Sequence, residues 1–326
     1  MIVDLEHLTS ELFNWFHHSN VKAINVVTVP YRGVDPLAGL LEHVLGKVRL
    51  LYITGPAGPE ESIERFLEAR DIEFSHNEES EAPIIILDYD RAFSSQGQYD
   101  LVIYDDVNSF PTHRKNEMHE LLNHIYYRTK KIIAYSLEAV FRNVINLELP
   151  LKENRSFVTE PRFIGVKGDI KTSVPSSVYE YINFFIRDQR SIVVFVPDDE
   201  TAEGMKSYLE RIDPALTKHM HDVSGLSIEE VRDRVLENKN GILLFTKQIN
   251  DFREIPVNFE FIVADSSAKA YEYRQFIFLC LRNGLFDDLN GEVLLVSSAL
   301  TYDMDRTKKL TQNYNRVIWE NDQLFL

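Results

Sequence analysis

Cysteine is almost absent from this 326-residue chain: Cys280 is the single one. It lies inside the apolar run "FIFLCL", so no disulfide can form within the chain and no multi-cysteine zinc module can be built. The residue reads as a small buried hydrophobe. Long hydrophobic runs are missing too, since nothing approaches the ~20 consecutive apolar residues that a membrane span needs. The first residues, "MIVDLEHLTSELFNWF", are acidic where a secretory signal would be basic, and a cytoplasmic location without membrane contact is expected. Positive charge is the third shortage. Against 51 Asp and Glu stand 35 Lys and Arg, a net charge of −16. Divided after Pro150, the first half carries 13 basic and 23 acidic residues and the second 22 and 28, hence −10 and −6. Neither half offers the overall cationic balance typical of a protein that grips nucleic-acid backbone, which leaves only a local groove for such contact.

What the chain does have is alternation. Short β-rich apolar runs take turns with segments of helical period, the pattern of parallel sheets covered by helices on both faces. Strands are expected at Ala23–Thr28, Arg49–Ile53, Ile84–Leu87, Leu101–Tyr104 and Lys131–Ala134. In the second half they are expected at Ser191–Val196, Gly241–Phe245, Phe261–Ala264 and Glu292–Val296. Helical stripes include Ile63, Phe66 and Leu67 after a start at Pro59, and Met118, Leu121, Leu122, Ile125 and Tyr126. Between residues 148 and 175 the period lapses and Pro, Gly, Ser and charge collect, which marks a linker. The fold class expected is α/β, with two doubly wound parallel-sheet lobes in tandem over 1–155 and 156–326.

Open α/β sheets bind ligands at the carboxyl ends of their strands, so the loops there carry the functional information. The first is "VPYRGVDPL". A phosphate loop needs glycines, a lysine for the terminal phosphates and a Ser or Thr hydroxyl for magnesium. Only Gly33 meets any of these needs. Asp35 would set a carboxylate against a triphosphate, a repulsion of ~4 kcal/mol for unit charges ~4 Å apart at an effective dielectric of 20, and Arg32 could offset part of it. Pro36 removes an amide donor and suits the first turn of a helix, so an ordinary strand-to-helix turn is the plain alternative. The second loop follows "YDLVIYDDVNSFP". Asp105 and Asp106 stand where a magnesium ligand and a general base would be, but Asp106 is one methylene shorter than Glu, and two acids after a strand also serve as helix caps.

The order of these features resembles the superfamily 2 helicase core, and most closely the late competence DNA translocase family ComFA. In that family a glycine-lysine-threonine loop stands where this chain has "YRGVDPL". Its Asp-Glu-Val-Asp-Ala-Phe-Pro segment corresponds to "YDDVNSFP", with Asp105, Val107, Phe110 and Pro111 matching and Asp106 and Asn108 not. Its Thr-Ala-Thr-Pro segment appears here as "AYSLEA", at Tyr135, Ser136, Leu137 and Glu138. In the second half Phe195, Val196 and Pro197 match, as do Thr246 and Gly291, Glu292 and Val293. Of two arginines expected to reach a γ-phosphate, only Arg282 lies nearby, and the family's four-cysteine zinc module is missing.

The resemblance therefore implies tandem RecA-like lobes whose ATPase has decayed. Arg32, Gly33 and Asp35 are a relict phosphate loop, and Asp105, Asp106 and Arg282 are relict catalytic positions. No metal or cofactor is expected. The partner implied is a DNA-processing protein, or nucleic acid held weakly between the lobes. The alternative is a divergent, active ATP-dependent DNA translocase, with ATP and magnesium served by Arg32, Asp105, Asp106 and Arg282. The histidines do not form a zinc pattern: His113, His119 and His124 share no helical face, while His219 and His221 share a strand face without a second pair. "HNEESEA", residues 76–82, reads as an exposed acidic loop, and "NRVIWENDQLFL" as an apolar tail docked on its own lobe.

Overall fold

The computed structural model describes residues 3–55, 63–149, 157–238, 240–249, 252–253, 255–283 and 291–323. The helix start expected at Pro59 lies outside them. The chain divides into two compact units, Met1–Lys152 and Glu153–Leu326.

The first unit carries strands β1 (Ala23–Val27), β2 (Leu50–Ile53), β3 (Phe74–Ser75), β4 (Ile84–Leu87), β5 (Tyr99–Asp105), β6 (Thr129–Ser136) and β7 (Ile145–Glu148). They form one sheet in the order β3-β4-β2-β5-β6-β1-β7, and every pairing is parallel. Its helices are α1 (Leu5–His18), α2 (Asp35–Val44), α3 (Ile63–Glu68), α4 (Tyr89–Ser94) and α5 (Lys115–Tyr126). Central strands are apolar on both faces because helices cover both. One face packs Leu50, Tyr52, Leu101 and Ile103 with Leu37, Leu40 and Leu41 of α2 and Leu8, Leu12 and Trp15 of α1; the other packs Leu51, Ile53 and Val102 with Met118, Leu121 and Ile125 of α5. Each such side chain contributes roughly 1.5–3 kcal/mol on burial. The close approach of α1 and α2 requires Gly39, where a Cβ would come within 2.5 Å of Thr9 Cγ2.

The second unit repeats the design. Strands β8 (Arg162–Gly165), β9 (Ser191–Phe195), β10 (Met220–Asp222), β11 (Ile242–Thr246), β12 (Phe259–Ala264) and β13 (Val293–Ser297) form a parallel sheet in the order β10-β11-β9-β12-β13-β8. Helices α6 (Ser176–Arg187), α7 (Asp199–Ile212), α8 (Ile228–Glu237), α9 (Tyr273–Arg282) and α10 (Tyr302–Gln323) accompany it. Two RecA-like, doubly wound α/β lobes in tandem are the architecture.

The differences from expectation are peripheral. β8 falls inside the segment read as a linker, and its half-exposed residues give no apolar run to recognise. The C-terminal segment is helix α10, which packs against α9 of its own lobe with Ile318 buried and Trp319 53% exposed; residues 324–326 of the expected tail lie outside the described residues. The acidic "HNEESEA" loop is not simply solvated. Glu78 accepts hydrogen bonds from the Gly97 N–H, the Tyr99 hydroxyl and the Ser95 hydroxyl, tying the loop to the turn before β5.

Candidate functional site

Strand register decides which loops meet. In the first lobe Val27 of β1 lies opposite Ser136 of β6, and Asp105 of β5 opposite Tyr135 of β6. The carboxyl ends of β1 and β5 therefore finish level on either side of β6, and the loops "VPYRGV" and "DVNSFP" leave from the same edge. Such an edge is where an open α/β sheet would hold a ligand.

Here the two loops hold each other. Gly33, with φ +80° in the left-handed region that glycine favours, donates its N–H to Asn108 Oδ1 at 2.7 Å. Asn108 Nδ2 donates back to the Gly33 carbonyl at 3.1 Å, and the Tyr135 hydroxyl donates to the same carbonyl at 2.9 Å. Next to it Tyr31 adopts φ +62°, a conformation costly for a side chain with a Cβ, and its N–H donates to the Val107 carbonyl at 3.0 Å. In effect, the backbone amide that would face a phosphate faces a carboxamide oxygen.

Asp105 is the post around which this is tied. Its Oδ1 accepts from the N–H groups of Val107 (2.9 Å) and Asn108 (3.0 Å), and its Oδ2 from Tyr52 Oη (2.5 Å) and Asn108 Nδ2 (2.8 Å). A carboxylate has about four lone-pair sites, so these four donors use the whole set. A metal ion would have to displace one of them. The carboxyl is buried at 1% exposure. Burial pushes its pKa above the usual carboxylate value, and the hydrogen bonds from Tyr52, Asn108 and Val107 pull part of that back. Burial and then the Asp105 charge push the Tyr52 phenol far up, so Tyr52 remains a donor. The Asp105 carbonyl accepts from the Tyr89 hydroxyl at 2.9 Å, and Asp106, also buried, donates its N–H to the Tyr135 carbonyl at 2.9 Å.

Asp35 and Arg32 flank the Gly33 turn in different environments. Asp35 is exposed on the first turn of α2, where an acid complements the helix dipole, and does not line the Gly33 turn's interior. The residue that bonds the Gly33 turn is Asn108, which the motif comparison marks only as a mismatch. Arg32 is 6% exposed, and its Nε and Nη1 have no hydrogen-bond partner. Burial lowers its pKa, with Tyr135 and Asp35 acting in the other direction.

In the second lobe Arg282, the last residue of α9, is fully enclosed. Its guanidinium donates to the carbonyls of Val257 (2.5 Å), Ile255 (2.5 Å) and Phe252 (3.1 Å) and lies 5.0 Å from the Phe259 ring centroid. It staples the turn before β12 instead of projecting as a finger. The residues after the Phe195-Val196-Pro197 match form a helix cap: Asp198 accepts from the Thr201 N–H and hydroxyl, both at 2.7 Å. Thr246 Oγ1 accepts from the Gln248 N–H at 3.1 Å and is buried.

Among the described residues no group of three or more His, Cys, Asp or Glu is placed to hold a metal ion. His113 pairs with the Tyr104 hydroxyl at 2.7 Å, His124 with the Ser95 carbonyl at 2.9 Å and His219 with the Gly241 carbonyl at 2.9 Å. No helix among the described residues is long and apolar enough to cross a membrane.

No protein-family profile matches the chain, and no curated protein does. Among solved structures it is similar to a fragment described as an HsdR subunit of a type I restriction enzyme from Vibrio vulnificus, at 14% identity and a TM-score of 0.56. The match covers 95% of this chain and 64% of that one, so this chain spans less than two thirds of the fragment. The likeness is one of fold: the same α/β architecture runs through almost the whole chain.

Proposed function

We propose that this chain is a helicase-fold protein, resembling the ComFA translocases, that no longer turns over ATP and acts by binding to a DNA-processing protein or to nucleic acid. The observation that carries this reading is the Asn108 carboxamide, which takes the Gly33 N–H at 2.7 Å and so uses a donor that a phosphate would need. The four donors on Asp105 support it, since they leave its carboxylate no open position for magnesium. The test is a thermal melt with ATP and magnesium. Nucleotide at 100 times its dissociation constant would add ~2.7 kcal/mol of native stability, and the expected shift is nil. A saturable shift that depends on Asp105 would overturn the reading. Binding of single-stranded DNA is measured separately at low salt, where an electrostatic grip is strongest.

One observation favours the second reading, an active ATP-dependent DNA translocase. Arg32 is a buried cation beside Gly33 with two nitrogens unpartnered. DNA-stimulated phosphate release that vanishes in Asp105→Ala would establish that alternative.

A further inference from the structure

The second lobe has a feature at the amino-terminal edge of its sheet. At the amino ends of β9, β10 and β11 a notch of about 440 Å³ is lined by Arg187 and Gln189 at the end of α6, Lys218 and His219 before β10, and Asn238 and Asn240 before β11. In a chain with net charge −16 this lining is unusual, because among the described residues it contains two full cations and no carboxylate. Several lysines elsewhere on this lobe are paired with acids: Lys171 with Glu200, Lys206 with Asp222, Lys247 with Asp199. Among the described residues Arg187 and Lys218 have no such ion pair.

The backbone is shaped to make the notch. Gln189 takes φ +61°, a left-handed position that ends α6, and its N–H donates to the Ile186 carbonyl at 3.1 Å. Gly241 takes φ +77°, and a Cβ there would lie 2.7 Å from the Ile186 carbonyl oxygen, so only glycine lets the lead-in to β11 press against the end of α6. His219 donates from Nδ1 to the Gly241 carbonyl at 2.9 Å, which fixes the imidazole against the same turn and leaves Nε2 as its remaining polar atom. The Asn240 N–H donates to Asn238 Oδ1 at 2.9 Å, so the Asn238 carboxamide oxygen is occupied and its NH2 remains as donor. Two cations and side-chain amides converge on one concavity, a donor set suited to a phosphoryl group.

We infer that this notch is a binding site for a small phosphate-bearing anion, with Arg187 and Lys218 supplying the charge and Asn238, Asn240 and Gln189 the neutral donors. It is independent of the Gly33 loop, which belongs to the other lobe. The probe is inorganic pyrophosphate, titrated into the full chain and followed by calorimetry and by amide chemical shifts. Saturable binding with a Kd below about 1 mM is expected, with the largest shifts at His219, Asn240 and Gly241. The double variant Arg187→Glu/Lys218→Glu should weaken binding at least about tenfold, because both attractions become repulsions. Both side chains are exposed, so the variant should melt as the parent does. The control Lys171→Glu, at a paired lysine outside the notch lining, should bind as the parent. A nucleoside monophosphate arm distinguishes the source of the anion. Phe184, 63% exposed one turn before Arg187, would add affinity for a base, and Phe184→Ala would remove that increment alone. No saturable binding, or equal binding by the charge-reversed variant, overturns the site.

Discussion

Arg32 in the first lobe and Arg282 in the second are both buried, and the two are built in opposite ways. Arg282 in the second lobe meets three backbone carbonyls and an aromatic face, so its charge is compensated where it lies. Arg32 in the first lobe is nearly as enclosed but leaves Nε and Nη1 without an acceptor. A buried guanidinium with acceptors on all sides is part of the fold's framework; one without them costs stability and must be offset elsewhere. The difference separates a compensated charge from an uncompensated one. Arg282 is bonded into the framework of its lobe, whereas Arg32 lies beside the Gly33 turn with two of its nitrogens unpartnered.

The largest effect should come from Arg282→Met. Removing the guanidinium strands the carbonyls of Phe252, Ile255 and Val257 in a buried turn, a loss of about 3–5 kcal/mol of second-lobe stability. Urea unfolding followed by a second-lobe probe, such as Trp319 fluorescence, measures it. A loss under about 1 kcal/mol would erase the contrast between the two arginines. Asn108→Leu comes next. It leaves the Gly33 N–H and one acceptor site of Asp105 unpaired, at about 1–3 kcal/mol, and destabilises the first lobe only. The same variant should still show no thermal shift with ATP and magnesium, because opening the loop restores neither a lysine nor a hydroxyl. An ATP shift gained in Asn108→Leu would make Asn108 a latch over a working site.

A smaller effect concerns pH. Burial alone would raise the Glu78 pKa, but the donors Ser95, Gly97 and Tyr99 outweigh it and hold the carboxyl below its ordinary 4.5. A depressed folded-state pKa means stability that is present above the unfolded value and is lost as pH falls through the folded one. First-lobe stability should therefore drop with acidification below about pH 4.5. In Glu78→Gln that part of the pH slope should flatten while neutral-pH stability falls by a modest amount, because Glu78 is half-buried and water screens its interactions. An unchanged acid limb in the variant would show that the loop does not depend on this carboxylate.

How much of this was readable beforehand follows from sequence separation and exposure. Central strands such as Ile84–Leu87 and Ser191–Phe195 are buried on both faces and stand out as unbroken apolar runs. The edge strands Phe74–Ser75, Ile145–Glu148, Arg162–Gly165 and Met220–Asp222 are short and half-exposed, so side-chain pattern does not mark them. The long helix α10 has a buried face but ends in residues that read as a tail. At the candidate site, inspection of each loop by itself points to Asp35, which the structure exposes. The residue that closes the loop, Asn108, is 75 positions from Gly33, and no local pattern joins them. Only the in-register ends of β1, β5 and β6 bring the pair together.

Arg32→Met is the smallest change and tests the comparison most directly. Methionine covers much of the same apolar surface as the arginine stem while removing a charge whose Nε and Nη1 have no partner. Its stability should be unchanged or higher by up to about 1 kcal/mol, the opposite sign to Arg282→Met. Such a result would mean that the first lobe tolerates Arg32 without needing it. A loss above about 2 kcal/mol would instead mean that Arg32 has a structural partner of the strength Arg282 enjoys, the attraction of Asp35 and the Tyr135 environment being the only favourable influences now evident. Because Arg32 is also the cation that would serve the phosphate in the active-translocase reading, DNA-stimulated phosphate release gives the same variant a second readout. Stability gained with no activity to lose fits a relict charge, and stability gained at the expense of turnover fits a working one.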